Sequence, residues 1–345
     1  MRVRRRWIYG LLGVALFLLS FGWVEIAKLA DASARAGRGA AGPSEAAVYF
    51  ESADPVGDDN GFGTYQYPTN LAFQPYHGLF DITGFKVWSE PDLPPGGPAD
   101  APLYFDTRFA KITNPWMAPE GFIHQNLRIF VDSVPNQGML TLPQPGAYVT
   151  FNPRYAWDFC LKIVGWGSSQ LIKAEQGKLV AYPLKATLLK DGLTIRANVA
   201  TDLVGTPGSG WHYYVLVGSY DGFGEDFFRK VVKAPGEWVV GGGVADNLEP
   251  QVLDVLAPEK GAHNQVSQLR SFDPQTGKLA EVYPTGQDLA AGGLHRMLLW
   301  VVLAVLAGLL LIGMGLRKKP RNIAWFWVRI KKDVAAAETP PSAKA

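Results

Sequence analysis

Cysteine is almost absent. Among 345 residues only Cys160 carries a thiol, so no intramolecular disulfide can form. The same scarcity excludes a C-x-x-C-H haem attachment and a zinc site built on cysteine pairs. Cys160 is expected to be a buried core thiol. Charge is also sparse, at 19% of residues with a formal net charge of +2. That balance gives no argument for nucleic acid, and no nucleic-acid partner is expected. The middle of the chain lacks any long apolar stripe at helical spacing. It also lacks G-x-S-x-G and a Ser/His/Asp signature, and His77, His212 and His263 show no metal-ligand spacing. The expectation is a protein that is not an enzyme.

What the chain does have begins with two uncharged apolar runs. The first, WIYGLLGVALFLLSFGWV at 7–24, follows Arg2, Arg4, Arg5 and Arg6. It suits a signal anchor near the lower length limit for spanning. A cleaved signal peptide is the alternative, with Ala32-Ser33-Ala34 as an A-x-A site. The second run, 297–316, is long enough to span as a helix and is followed by Arg317, Lys318, Lys319 and Arg321. Positive residues stay inside, so both basic blocks are expected in the cytoplasm and residues 25–296 outside it. After the second run, Trp325, Phe326 and Trp327 beside Arg329, Lys331 and Lys332 suit a short interfacial helix on an anionic leaflet.

These readings divide the chain into a cytoplasmic N-terminus (1–6), an anchor (7–24), a linker (25–47), an extracytoplasmic domain (48–282), a juxtamembrane stretch (283–296), a transmembrane helix (297–316) and a cytoplasmic tail (317–345). Within 48–282, short runs of Val, Ile, Tyr, Phe and Trp are broken by Gly, Pro, Asn and Asp. Examples are 103–112, 124–134, 193–200 and 211–220. In LRIFVDSV, Leu127, Ile129 and Val131 alternate with Arg128, Phe130 and Asp132. Strands at this spacing predict an all-β sandwich flanked by two transmembrane helices. Proline-rich stretches at 90–102 and 134–146 read as surface insertions.

Two acidic glycine turns stand out. DPVGDDNGFG contains Asp54, Asp58 and Asp59 interleaved with Gly57, Gly61 and Gly63. Such a loop can turn its oxygens onto one point and suits a hard cation. Its spacing is not that of an EF-hand, but Asp54, Asp58 and Asp59, with Asp81 from FDITGF, form a candidate calcium set. The competing reading is an acidic turn that bonds only its own backbone. The second turn, YDGFGEDFFRKV, carries Asp221, Glu225 and Asp226. The two could meet at one end of a sandwich. Paired carboxylates also serve glycoside hydrolysis, although acidic glycine turns are common without it.

Trp88, Trp116, Trp166 and Trp211 are candidate ligand aromatics, drawn from six external tryptophans that include Trp157 and Trp238. Aromatic walls with a few polar groups make a small-ligand site, while core filling is the ordinary fate of a tryptophan. Met117 and His124, seven residues apart in NPWMAPEGFIHQ, form an alternative pair of axial ligands to a non-covalent haem.

Seven segments occur in one order: FESADPVGDDNGFGTYQYPTN, FDITGFKVW, ITNPWMAPEGFIHQNLRIFVD, YAWDFCLKIVGW, SYDGFGEDFFRKV, EWVVGGG and LEPQVLDVLAPEKGAHNQVSQL. Together they resemble the C-terminal domain family of glucodextranase, a DOMON-like, immunoglobulin-type β-sandwich related to family-nine carbohydrate-binding modules. The resemblance covers nearly all of 48–272. It implies a sandwich associated with sugar or the cell surface, and a calcium role for the GDD loop. Met117 departs from the small residue expected after NPW, and some DOMON domains bind haem. The resulting expectation is a membrane-anchored module that binds carbohydrate or cell-wall glycan. The alternatives are a haem-binding electron-transfer protein and a structural subunit of another membrane protein.

Overall fold

The computed structural model describes residues 46–90, 102–175, 178–245 and 247–289. Both apolar runs and the tail lie outside the described residues, as does most of the 90–102 insertion. No helix among the described residues is long and apolar enough to cross a membrane.

Fourteen strands follow one another along the described chain. They are β1 (Ala47–Ala53), β2 (Ile82–Ser89), β3 (Pro102–Phe109), β4 (Gln125–Asp132), β5 (Val149–Phe151), β6 (Phe159–Ile163) and β7 (Gln170–Glu175). Next come β8 (Lys178–Pro183), β9 (Lys185–Leu188), β10 (Thr194–Ala200), β11 (His212–Ser219), β12 (Asp254–Val255), β13 (Ala280–Val282) and β14 (Thr285–Gly286). One antiparallel sheet runs β1-β2-β3-β10-β9. The other runs β12-β11-β4-β6-β7-β8, with β14 also on β11. A small parallel pair, β13 with β5, completes the set. Among the described residues, two short α-helices lie between strands: α1 (Thr201–Val204) and α2 (Gln265–Leu269).

Period-two patterning builds the five-stranded sheet. On β3, Leu103, Phe105 and Phe109 are buried, while Tyr104, Asp106 and Arg108 face outward. On β2 a register shift between Ile82 and Gly84 lets Ile82 and Phe85, three residues apart, both reach the core. Phe50 of β1 and Phe85 of β2 meet Tyr213 of β11 at ring distances of 4.8 and 5.5 Å, which joins the two sheets. Each ring so buried contributes about 1.5–3 kcal/mol.

The seven-stranded sheet departs from simple alternation. β4 and β11 are buried along their whole lengths. Leu127, Ile129 and Val131 pack inward as expected, but the opposite side is covered as well. Phe130 packs on Phe151 and Trp157, and Arg128 lies over the Phe228 ring. Segments 139–157 and 220–231 thus form a third layer over this sheet. The 134–146 stretch belongs partly to that layer, since Met139 and Trp157 exchange backbone hydrogen bonds.

Candidate functional site

The first acidic loop leaves β1 and returns beneath β12. Gly57 and Gly61 adopt φ of 90° and 64°, which favours glycine. A Cβ on Gly61 would stand 2.3 Å from the Tyr65 ring, so a larger residue is also excluded by space. The Gly61 N–H donates to Leu253 O at 2.8 Å, pinning the loop to the segment that carries β12. Gln265 of α2 locks it further. Its side-chain amide donates to Asp58 O and to Gly61 O, and its carbonyl accepts from Val255 N.

This anchoring brings Asp54, Asp58 and Asp254 together, each with a carboxylate oxygen within 4.8 Å of the others. Asp254 is not marked by the sequence pattern as part of this set. It stands in an apolar run, LEPQVLDVLAP, without glycine-turn texture. A carboxylate among residues that must be buried was the available signal. Asp254 is fully buried and accepts 2.6 Å hydrogen bonds from Ile82 N and Val255 N. Asp54 Oδ1 accepts from Ala257 N, and Asp81 Oδ2 accepts from Gly57 N. Among the described residues, three buried oxygens of this group find no partner: Asp54 Oδ2, Asp58 Oδ1 and Asp81 Oδ1.

Among the described residues, none of these carboxylates pairs with a lysine or arginine. Burial, opposed by the Ala257 N–H and reinforced by the Asp58 and Asp81 charges, pushes Asp54 up to about 9. Burial and the Asp59 charge raise Asp58 to about 6, against a hydrogen bond from its own backbone. Asp81 also rises to about 6, chiefly through burial and its acidic neighbours. Asp254 is driven well above the ordinary carboxylate range by burial and by Asp54 and Asp58. Unpartnered inward oxygens with crowded negative charge match what a hard divalent cation needs.

Asp59 does something different. Its Oδ2 accepts from Gly78 N, Phe80 N and the Tyr67 hydroxyl, so it braces the neighbouring turn. It therefore fits the competing reading of an acidic turn that bonds backbone, whereas Asp54, Asp58 and Asp81 each keep one buried oxygen without a partner among the described residues.

The second acidic loop has another set of partners and does not join the first. Asp226 receives Arg128 Nη2 at 2.9 Å and Lys162 Nζ, and its backbone carbonyl accepts from Arg128 and Asn126. Asp221 pairs with Arg229 at 3.5 Å. Glu225 accepts from the Tyr148 hydroxyl at 2.5 Å. Its charges are thus matched by the chain's own donors. Phe223 at the tip is fully exposed.

The candidate aromatics separate by burial. Trp211, expected at a ligand surface, lies in the core instead, 7% exposed, against Phe159 and Tyr213. Trp88 lies on the outer face of the five-stranded sheet. It stacks on Tyr104, sits beneath the Arg196 guanidinium and donates to Asp106. Trp166 is half exposed on a left-handed turn held by Glu120.

Trp116 is half-buried and forms a shelf with Trp238, which is 45% exposed. Their rings lie 6.1 Å apart at 36°, over Phe73 and the Arg229 guanidinium. Arg229 Nη1 donates to Trp238 O at 2.6 Å and fixes that side. Met117 and His124 do not form a facing pair. Met117 is 85% exposed, whereas His124 is 1% exposed against Phe73 and Trp116. Burial, with the Arg229 charge, lowers the His124 imidazole to about 4.

The described residues thus form an all-β sandwich that presents an exposed aromatic shelf. A family model described as the C-terminal binding module, SLH-like, of glucodextranase matches residues 49–284. The chain belongs to this family. No curated protein and no solved structure matches it.

Proposed function

We propose that this protein is a membrane-anchored, extracytoplasmic carbohydrate-binding module, braced by calcium, that carries out no reaction. The Trp116–Trp238 shelf is the observation that carries the sugar reading. Two indoles held over a rigid floor of Phe73 and Arg229 present an apolar platform of the kind that C–H faces of sugar rings cover. Membership of a binding-module family supports it. The carboxylates of the second loop are engaged by Arg128, Lys162, Arg229 and Tyr148, which argues for structure rather than hydrolysis. Placement at the membrane rests on the apolar runs 7–24 and 297–316 with their flanking basic residues.

Calcium would be held by Asp54, Asp58 and Asp254, with Asp81 adjoining. Its part is to neutralise buried charge and tie β1, β2 and β12 to one point.

Pull-down of the full-length protein in detergent on insoluble and immobilised polysaccharides tests the reading. Retention on at least one glycan is expected, weakened at least tenfold by Trp238→Ala. Failure to bind any glycan, or binding unchanged in Trp238→Ala, counts against it.

A further inference from the structure

Beside the calcium loop opens a cleft of about 680 Å³. Gly57 and Asp59 form one wall, and Asn60, Gln66, Thr69, Tyr76, His77 and Pro235 are among the residues that line the rest, with Tyr65, Tyr67 and Pro68. Its chemistry is narrow. Tyr76 offers a ring, 39% exposed, on a backbone with φ of 65°. A bulky residue rarely holds a positive φ, and such strain persists only where the surroundings impose it. Here Tyr76 N donates to Phe73 O at 2.7 Å and the hydroxyl donates to Thr69 O at 3.3 Å. The side-chain amides of Asn60 and Gln66 make no hydrogen bond among the described residues. Each carries both donors and an acceptor, the combination that reads a hydroxyl. No lysine or arginine lines the cleft, and the nearby Lys111 ammonium is held by His77 Nε2. An anionic ligand would find no lining cation to pair with.

Two short segments are shared with the aromatic shelf. Thr69 and Tyr76 line the cleft, while Phe73 between them floors the shelf. Pro235 lines the cleft, while Trp238 belongs to the shelf. Three residues of chain reach at most about 11 Å, so the two surfaces adjoin. The wall itself belongs to the calcium loop, since Gly57 N donates to Asp81 and Asp59 receives Gly78 N.

We infer that this cleft is a second subsite, taking a neutral pyranose ring of a glycan that also lies on the Trp116–Trp238 shelf, and that its affinity is coupled to the cation in the adjacent carboxylate set. The inference rests on the glycan and calcium reading above. A cation that draws Asp54, Asp58 and Asp254 together, beside Asp81, orders residues 57–60 and so the cleft wall. Coupling is reciprocal, so the glycan tightens the cation by the same factor.

The test is calorimetric titration of the full-length protein in detergent with neutral glucose, mannose and galactose oligosaccharides of one to six rings, in calcium and in EDTA. Affinity is expected to rise with length beyond a single ring and to fall about tenfold in EDTA. Tyr76→Ala and, at an exposed site that does not threaten folding, Gln66→Ala should each lower affinity severalfold to tenfold. Both should also flatten the length dependence, and Tyr76→Ala should bring the EDTA effect below twofold. Calcium titrated in the presence of saturating hexasaccharide should bind about tenfold tighter than without it. If wild type binds but both variants stay within twofold of it, the cleft inference fails and the shelf reading stands. If the variants lose affinity yet EDTA changes nothing, the coupling is wrong. If wild type binds no oligosaccharide in the series, the glycan reading falls and takes the subsite with it.

Discussion

The loops at 54–63 and 220–228 look alike as sequence and behave as opposites in the fold. Both place aspartates among glycines and share a G-F-G tripeptide shortly after an aspartate. In the first, Asp54, Asp58 and Asp254 converge, with Asp81 adjoining, and no lysine or arginine among the described residues pairs with them. In the second, Arg128 of β4 and Lys162 of β6 come up beneath Asp226, and Arg229 meets Asp221. What differs lies opposite the loop rather than in it. A buried carboxylate cluster needs a proton or a foreign cation, whereas a buried ion triad is complete.

The largest effect expected is on the second loop. Asp226→Ala leaves Arg128 and Lys162 buried without their counter-ion, which typically costs about 3–5 kcal/mol. The melting temperature should fall equally in calcium and in EDTA. A loss that calcium largely reverses would mean that the two loops are not independent.

Next comes cation removal. A ligand at a thousandfold excess over its Kd stabilises the fold by about 4 kcal/mol, so EDTA should lower the melting temperature by roughly 10 °C. Asp58→Asn should abolish the calcium response. It should also melt above wild type in EDTA, because one of the repelling charges is gone. Identical melting curves with and without chelator would leave the first loop a self-contained turn.

The pH dependence sharpens the contrast further. Asp54 at about 9 and Asp58 and Asp81 at about 6 all lie above their ordinary value of 3.8. Their contribution to the cation-free fold is complete below about pH 4 and is lost as pH rises through 6 and then 9. Calcium needs the deprotonated forms, so its stabilising effect should grow from pH 5 to pH 8.5 in paired scans with EDTA. A calcium effect that is flat over this range would place the ion elsewhere.

The smallest effect is expected from Asp221→Asn. Asp221 is partly exposed, its pair with Arg229 is long at 3.5 Å, and Arg229 keeps its bonds to Ser219, Tyr220 and Trp238. Such a pair contributes about 0–1 kcal/mol. A thermal scan should move by no more than a few degrees; a larger drop would make Asp221 part of the shelf's support.

Much of the fold is determined locally. β-branched and aromatic residues alternating over short runs, with glycine and proline between them, can satisfy their backbone and bury one face only by pairing in sheets. The strands at 102–109, 125–132, 194–200 and 212–219 are therefore legible in the chain. So is the approach of Asp54 to Asp58, because Gly57 between them lets the chain turn.

The tertiary structure alone decided which of these mattered. Asp254 joins Asp54 and Asp58 because β12 pairs with β11 beneath the loop, and Asp59 leaves because the turn at 78–80 offers it N–H donors. The alternation on β4 would leave Arg128 facing solvent. Only the third layer over that sheet buries it and sets it against Asp226. Trp211 and Trp238 are indistinguishable as letters, and burial sends one into the core and the other to the shelf. Charge and exposure depend on what packs from distant parts of the chain, and local patterning carries no record of that.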